Sequence, residues 1–188
     1  MTTGDYDIGA LIGVDQERNV LYYTSYEVDP TQLHLYSIRF DGSDKTKLSL
    51  GPGSYTASFS KTFDYYIMSH SDANTPPVYE LYNRKGKLIR LLEDNARLKK
   101  TAEEHGFARV EFMKVPTRSG QLLNGYMIKP ADFDPQKEYP LFMYVYGGPE
   151  SQKAVEKWYG RMPWFQMLVQ EGYIVACVDN RGTNGRGE

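Results

Sequence analysis

The chain has 188 residues, of which 40% are hydrophobic, enough for one or two domains with real cores, so a disordered chain is excluded. A formal net charge of −2 without any basic run leaves no electrostatic footprint for nucleic acid or an anionic membrane surface. The single cysteine, Cys177 in "YIVACV", has no partner for an internal disulfide and reads as a small core residue. No charged-then-apolar leader opens the chain, and no apolar run approaches the ~18 residues needed to span a bilayer. Met1-Thr2-Thr3 reads as a start imposed on an existing chain rather than as a targeting signal.

In the first half the aromatic residues fall in alternating strand patterns. At an offset of 43, "LYYTSYEVDPTQLHLYSIRFDG" falls on "DYYIMSHSDANTPPVYELYNRKG". Tyr22-Tyr23 meets Tyr65-Tyr66, Asp29 meets Asp72, and Leu35-Tyr36 meets Val78-Tyr79. After a slip of one residue, Gly42 meets Gly86. A period in the low forties with four short strands per unit is that of a β-propeller blade; a single antiparallel meander or a sandwich is the competing reading. Asp41-Gly42 and Lys85-Gly86 are hairpin signals, and "GPGS" (51–54) separates the units. Two blades cannot close a ring, because each needs neighbours on both faces.

After "LIRLLED" the period changes. Asn95 is positioned to cap a helix through "ARLKKTAEEH", with Gly106 as its stop. "RVEFMKVPTRSGQLLNGYMIKP" predicts two strands around a turn at Arg118-Ser119-Gly120, and "ADFDPQKEY" a polar loop. The run Leu141–Val145 has no polar face and predicts a strand buried on both sides. Pro163 suits the first turn of a helix through "WFQMLVQEG", with Gly172 at its end. "YIVACVDN" predicts a second doubly buried strand, so this region reads as a βαβ unit with a parallel sheet.

The strand at Leu141 runs directly into Tyr146-Gly147-Gly148-Pro149. Two readings stand: a plain turn, or the display of a polar side chain and free backbone N–H groups at the carboxyl end of a sheet, where α/β enzymes place their chemistry. No Gly-x-Ser-x-Gly elbow occurs, and the serine in "GPGSYTA" lies between repeat units. His34, His70 and His105 lie away from the βαβ unit, and none is a credible catalytic base. "DNRGTNGRGE" superficially suggests a calcium loop, but glycine and arginine stand where ligands are needed.

"TPPVYELYNRKGKLIRLLEDN", "YPLFMYVYGGPESQ" and "VDNRGTNGRGE" together resemble the dipeptidyl peptidase IV branch of the prolyl oligopeptidase family of serine peptidases, over essentially the whole chain. The resemblance implies a mixed fold: the last two β-propeller blades in 1–94, a connecting helix in 95–108, and the N-terminal part of an α/β-hydrolase catalytic domain, with its parallel sheet, in 109–188. It implies that the Tyr146 hydroxyl helps to hold the oxyanion, and that Arg181 braces the propeller interface or pairs with a carboxylate, bracing being favoured. The serine, acid and histidine would lie beyond Glu188, and the acidic pair that binds the substrate amine before residue 1. The implied reaction is covalent release of Xaa-Pro or Xaa-Ala dipeptides from peptides with a free N-terminus, without metal or organic cofactor. The implied partners are that peptide, the remainder of a parent polypeptide and a second copy in a homodimer; the implied location is the cell envelope (periplasm) or outside the cell. A related endopeptidase or acyl-peptide hydrolase, and a non-catalytic β-rich interaction module, are the alternatives. The chain alone is expected to be inactive.

Overall fold

The computed structural model describes residues 4–186; Met1-Thr2-Thr3, Gly187 and Glu188 lie outside them. Eight strands form two antiparallel meanders. The first runs β1 (Ile8–Asp15), β2 (Val20–Ser25), β3 (His34–Arg39) and β4 (Thr46–Lys47). The second runs β5 (Ser54–Phe59), β6 (Tyr65–Ser71), β7 (Val78–Asn83) and β8 (Leu88–Glu93). Apart from one parallel bridge between Leu33 and Ser54, each unit pairs within itself, which overturns the single-meander reading. Turn chemistry fixes the hairpins: Gly42 and Gly86 adopt φ of 87° and 75°, and their N–H groups donate to Arg39 and Asn83.

The two sheets repeat head to tail. Tyr23 lies opposite Tyr36 and stacks on it at 5.6 Å; Tyr66 lies opposite Tyr82 and stacks on it at 5.3 Å. The Tyr66 pair packs with Leu35 of the first sheet in one core, whereas Tyr23 and Tyr36 occupy the first sheet's opposite face. Each tyrosine pair therefore faces back along the chain, the propeller-like arrangement. The expected match of Tyr36 with Tyr79 is corrected to Tyr82, since Tyr79 is exposed. The cause is strand length: β6 runs on from Tyr66 to Ser71, whereas β2 stops at Ser25 soon after Tyr23.

Helix α1 (Ala96–Glu104) follows the second sheet. Asn95 does not cap it as expected. It sits at φ 50°, and its amide donates to Pro77 O at 2.7 Å, while Asp94 Oδ1 accepts from the Ala96 N–H. Gly106 at φ 65° ends the helix, with Gly106 and Phe107 donating back to Glu103 and Ala102.

The third sheet has the order β11-β12-β10-β9, from β9 (Val110–Pro116), β10 (Leu122–Ile128), β11 (Leu141–Tyr144) and β12 (Ile174–Val178). Only β11 and β12 are parallel, joined through α2 (Met162–Gln170); the sheet is otherwise antiparallel. Phe165 and Val169 of α2 pack on Val175, Cys177, Ile128 and Tyr126, and Ala73, from the loop after β6, joins that core. The double burial expected of Leu141–Val145 is not found. Phe142 and Tyr144 meet Trp164 and Phe165, but Leu141 and Met143 are exposed because β11 is the edge strand and its other face is uncovered.

Candidate functional site

The carboxyl ends of β11 and β12 carry the loop that holds Tyr146. Beyond Tyr144 the chain leaves the sheet, and Tyr146 stands 59% exposed. Gly147 turns the chain at φ 75°, and a Cβ on Gly148 would lie 2.7 Å from Tyr146 Cε1. Glycine at 148 thus lets the aromatic ring fold over the turn. Glu150, itself at φ 67°, donates its N–H to Gly182 O at 2.8 Å.

Asp179, just past β12, anchors the far side of this loop. It is buried, and its two oxygens accept the Lys153 N–H at 2.9 and 3.0 Å and the Ala154 N–H at 2.9 Å. Burial raises the carboxyl's pKa, and the two backbone N–H groups and the Lys153 charge oppose that rise. Lys153 closes the arrangement: its Nζ lies 4.9 Å from the centre of the Tyr146 ring and donates to Ser151 Oγ at 2.8 Å.

A cavity of about 340 Å³ beside the loop is lined by Tyr126, Tyr144, Lys153, Tyr159 and Arg161, with Arg161 donating to the Tyr144 hydroxyl. Burial pushes the Tyr159 phenol up to about 12, so it stays protonated. A larger hollow, about 590 Å³, lies elsewhere, between the loop after β6, α1 and α2, and Tyr146 takes no part in it. On its wall burial, and then Asp72 and Asp29, raise the Glu156 carboxyl.

The remaining sequence candidates fall outside this loop. His34 is fully buried between Ser49 and Gln32, with ring nitrogens at 2.9 and 3.0 Å from their oxygens, and burial lowers its pKa to about 4. Since Gln32 Oε1 can only accept, Nε2 carries the proton and Nδ1 accepts from the Ser49 hydroxyl. The Ser49 oxygen also accepts from the Leu35 N–H, so this serine–histidine pair is closed to any substrate. Cys177 is buried with its thiol pushed up to about 12, hence unreactive. Arg181 reaches Gln121 at 3.4 Å, within the third sheet's own turn region, and does not brace the first two sheets. That contact is made by Gly185, whose N–H donates to Asp7 Oδ2 at 2.6 Å and whose bare Cα admits Tyr26 and Pro30, together with Lys114 on Asp29, Glu156 on Thr31 and Trp158 on Ser71. Among the described residues, no three His, Cys, Asp or Glu side chains are grouped to hold a metal.

Residues 1–77 match the family described as the dipeptidyl peptidase IV N-terminal region. The whole chain is 31% identical to a probable dipeptidyl peptidase 4 of Aspergillus flavus and to a dipeptidyl peptidase 4 of Trichophyton rubrum, covering 25% of each. The crystal structure of Porphyromonas gingivalis dipeptidyl peptidase 4 superposes on all of it with a TM-score of 0.92 at 40% identity, over 26% of that chain. The chain belongs to the dipeptidyl peptidase IV family. It spans about a quarter of the length of the relatives it matches. Asp179 and Lys153, which hold the loop of this dipeptidyl peptidase IV-family chain, escaped the sequence reading. The available signal was an acid directly after an apolar strand facing a lysine shortly after Gly-Gly-Pro.

Proposed function

We propose that this chain is part of a serine-type dipeptidyl peptidase that releases Xaa-Pro or Xaa-Ala dipeptides from peptides with a free N-terminus. Residues 1–94 are assigned to the last two propeller blades, 95–108 to the connection, and 109–188 to the beginning of an α/β-hydrolase domain. The observation that carries the reading is Tyr146: an exposed phenol at the carboxyl end of a parallel strand pair, on a loop held by Asp179.

Attack of a serine oxygen on the scissile carbonyl places negative charge on the carbonyl oxygen, and a donor already in place stabilises that charge more than it stabilises the substrate. The Tyr146 hydroxyl is assigned this role. The acyl-enzyme then forms with departure of the peptide amine, and water releases the dipeptide. The nucleophile, its histidine and acid, and the carboxylates that receive the substrate amine are assigned to the remainder of the longer polypeptide. An envelope or secreted location and a homodimer complete the proposal. Among the described residues no helix is long and apolar enough to cross a membrane.

The test uses the longer protein on a Gly-Pro-linked chromogenic amide, with and without an organophosphate. Expected are turnover abolished by the inhibitor, and a fall of roughly 10²–10³ in kcat for Tyr146→Phe with little change in KM. The 188-residue chain alone should show no turnover above buffer. Internal cleavage of peptides without dipeptide release, or a Tyr146→Phe enzyme within a few-fold of wild type, overturns the reading.

A further inference from the structure

We infer that Lys153 is a positioning residue for Tyr146, setting the ring so that its hydroxyl meets the oxyanion; the inference rests on the donor role proposed above for Tyr146. A phenol that is 59% exposed on a Gly-Gly turn has little steric restraint of its own. A donor free to rotate must be ordered during the reaction, which removes the benefit of preorganisation. Lys153 supplies the missing restraint. Its ammonium lies 4.9 Å from the ring centre, within the range where a cation is attracted to an aromatic face.

The lysine is itself fixed at both ends. Its backbone N–H is shared between the two Asp179 oxygens, and its Nζ is tethered to Ser151 Oγ at 2.8 Å. Asp179 in turn stands at the end of β12, its own N–H donating to Asn124 O at 2.8 Å. A line of contacts therefore runs from the sheet through Asp179 and Lys153 to the Tyr146 ring. No part of it requires Lys153 to touch substrate.

The experiment is a double-mutant cycle in the longer protein, with kcat and KM measured for wild type, Tyr146→Phe, Lys153→Met and the double variant. The attraction between cation and ring corresponds to a fall of roughly 3- to 30-fold in kcat for Lys153→Met, at nearly constant KM. Lys153→Arg should restore most of it, since a guanidinium also lies on aromatic faces. The deciding readout is the Tyr146→Phe background, where no hydroxyl remains to be placed and Lys153→Met should change kcat less than twofold. A loss that persists in that background, or that appears in KM, overturns the inference in favour of direct contact with substrate or a purely structural role. Should Lys153→Met lower the melting temperature substantially, Lys153→Gln takes its place in the cycle. Tyr146→Phe alone tests the donor reading, so failure of that reading and failure of the positioning role are separately visible.

Discussion

Gln166 and Ala108 exchange two hydrogen bonds: Gln166 Oε1 accepts the Ala108 N–H at 2.7 Å, and its amide donates to Ala108 O at 2.8 Å. The side chain is fully buried on α2, so replacing it with Leu leaves both backbone groups of Ala108 without partners. Gln166→Leu should destabilise the chain by roughly 2–4 kcal/mol, read as a lower urea midpoint at unchanged slope.

His34 makes stability depend on acid. Its pKa is lowered from 6.5 to about 4 by burial and, less, by the Lys47 charge, so the unfolded chain binds this proton more readily than the folded one. The contribution is fully present above pH 6.5 and is lost as pH falls toward 4, a loss of about 3 kcal/mol over the interval. Urea unfolding at pH 7, 5.5 and 4 should show this slope, and His34→Gln should remove it. Equal slopes in both proteins would show that His34 protonates without opening the core.

Gly125 leaves no room for a side chain where β10 meets β12. A Cβ there would lie 2.6 Å from the backbone oxygen of Cys177, on the partner strand. Gly125→Ala should force β10 from β12 and lower stability by roughly 1–3 kcal/mol, measured by thermal unfolding. The same substitution at Gly120, whose Cβ would meet nothing within 4 Å, tests φ strain without a clash and should act through its φ of 83° alone.

Among the edge strands of the three open sheets, β8 and β11 expose apolar side chains, Leu88, Ile89, Leu91 and Leu92 on one and Leu141 and Met143 on the other. Unpaired apolar edges invite pairing with other chains. Light scattering of the 188-residue chain should show mass rising with concentration, and Met143→Lys with Leu91→Lys should suppress the rise. Constant monomer mass over a wide concentration range would contradict this.

The repeat and the βαβ unit were legible because they rest on local signals: paired tyrosines at a fixed interval, glycines at turns, and proline at a helix start. Gly42, Gly86, Gly106 and Gly172 all adopt the positive φ that such signals demand. Burial was less legible because it depends on neighbours in space. Leu141 and Met143 look like core residues along the chain, but an edge strand with one covered face exposes them. Asn95 has the chemistry of a cap, yet Pro77 O lies within reach of its amide and takes it. Tyr146 could be placed at the end of a strand from the run before it. Its setting against Lys153 could not, because Lys153 is held by Asp179, and the chain separates those two by a helix.

The loop after β6 reaches the third sheet through Asn74, whose carboxamide accepts the Val110 N–H at 2.8 Å and donates to Val110 O at 3.2 Å. With Gln166 holding Ala108, two side-chain amides clasp neighbouring rungs of the same extended segment, as an adjoining strand would. Such a clasp has a fixed phase. Adding or deleting one residue between 72 and 77 would carry Asn74 out of step with Val110, whereas the bonds of the Arg84-Lys85 turn stay within its own meander, to Asp64 and Asn83. Length variation among homologues should accordingly gather at the hairpin tips and spare the 72–77 loop, which works as a spacer gauge between the meanders and the mixed sheet.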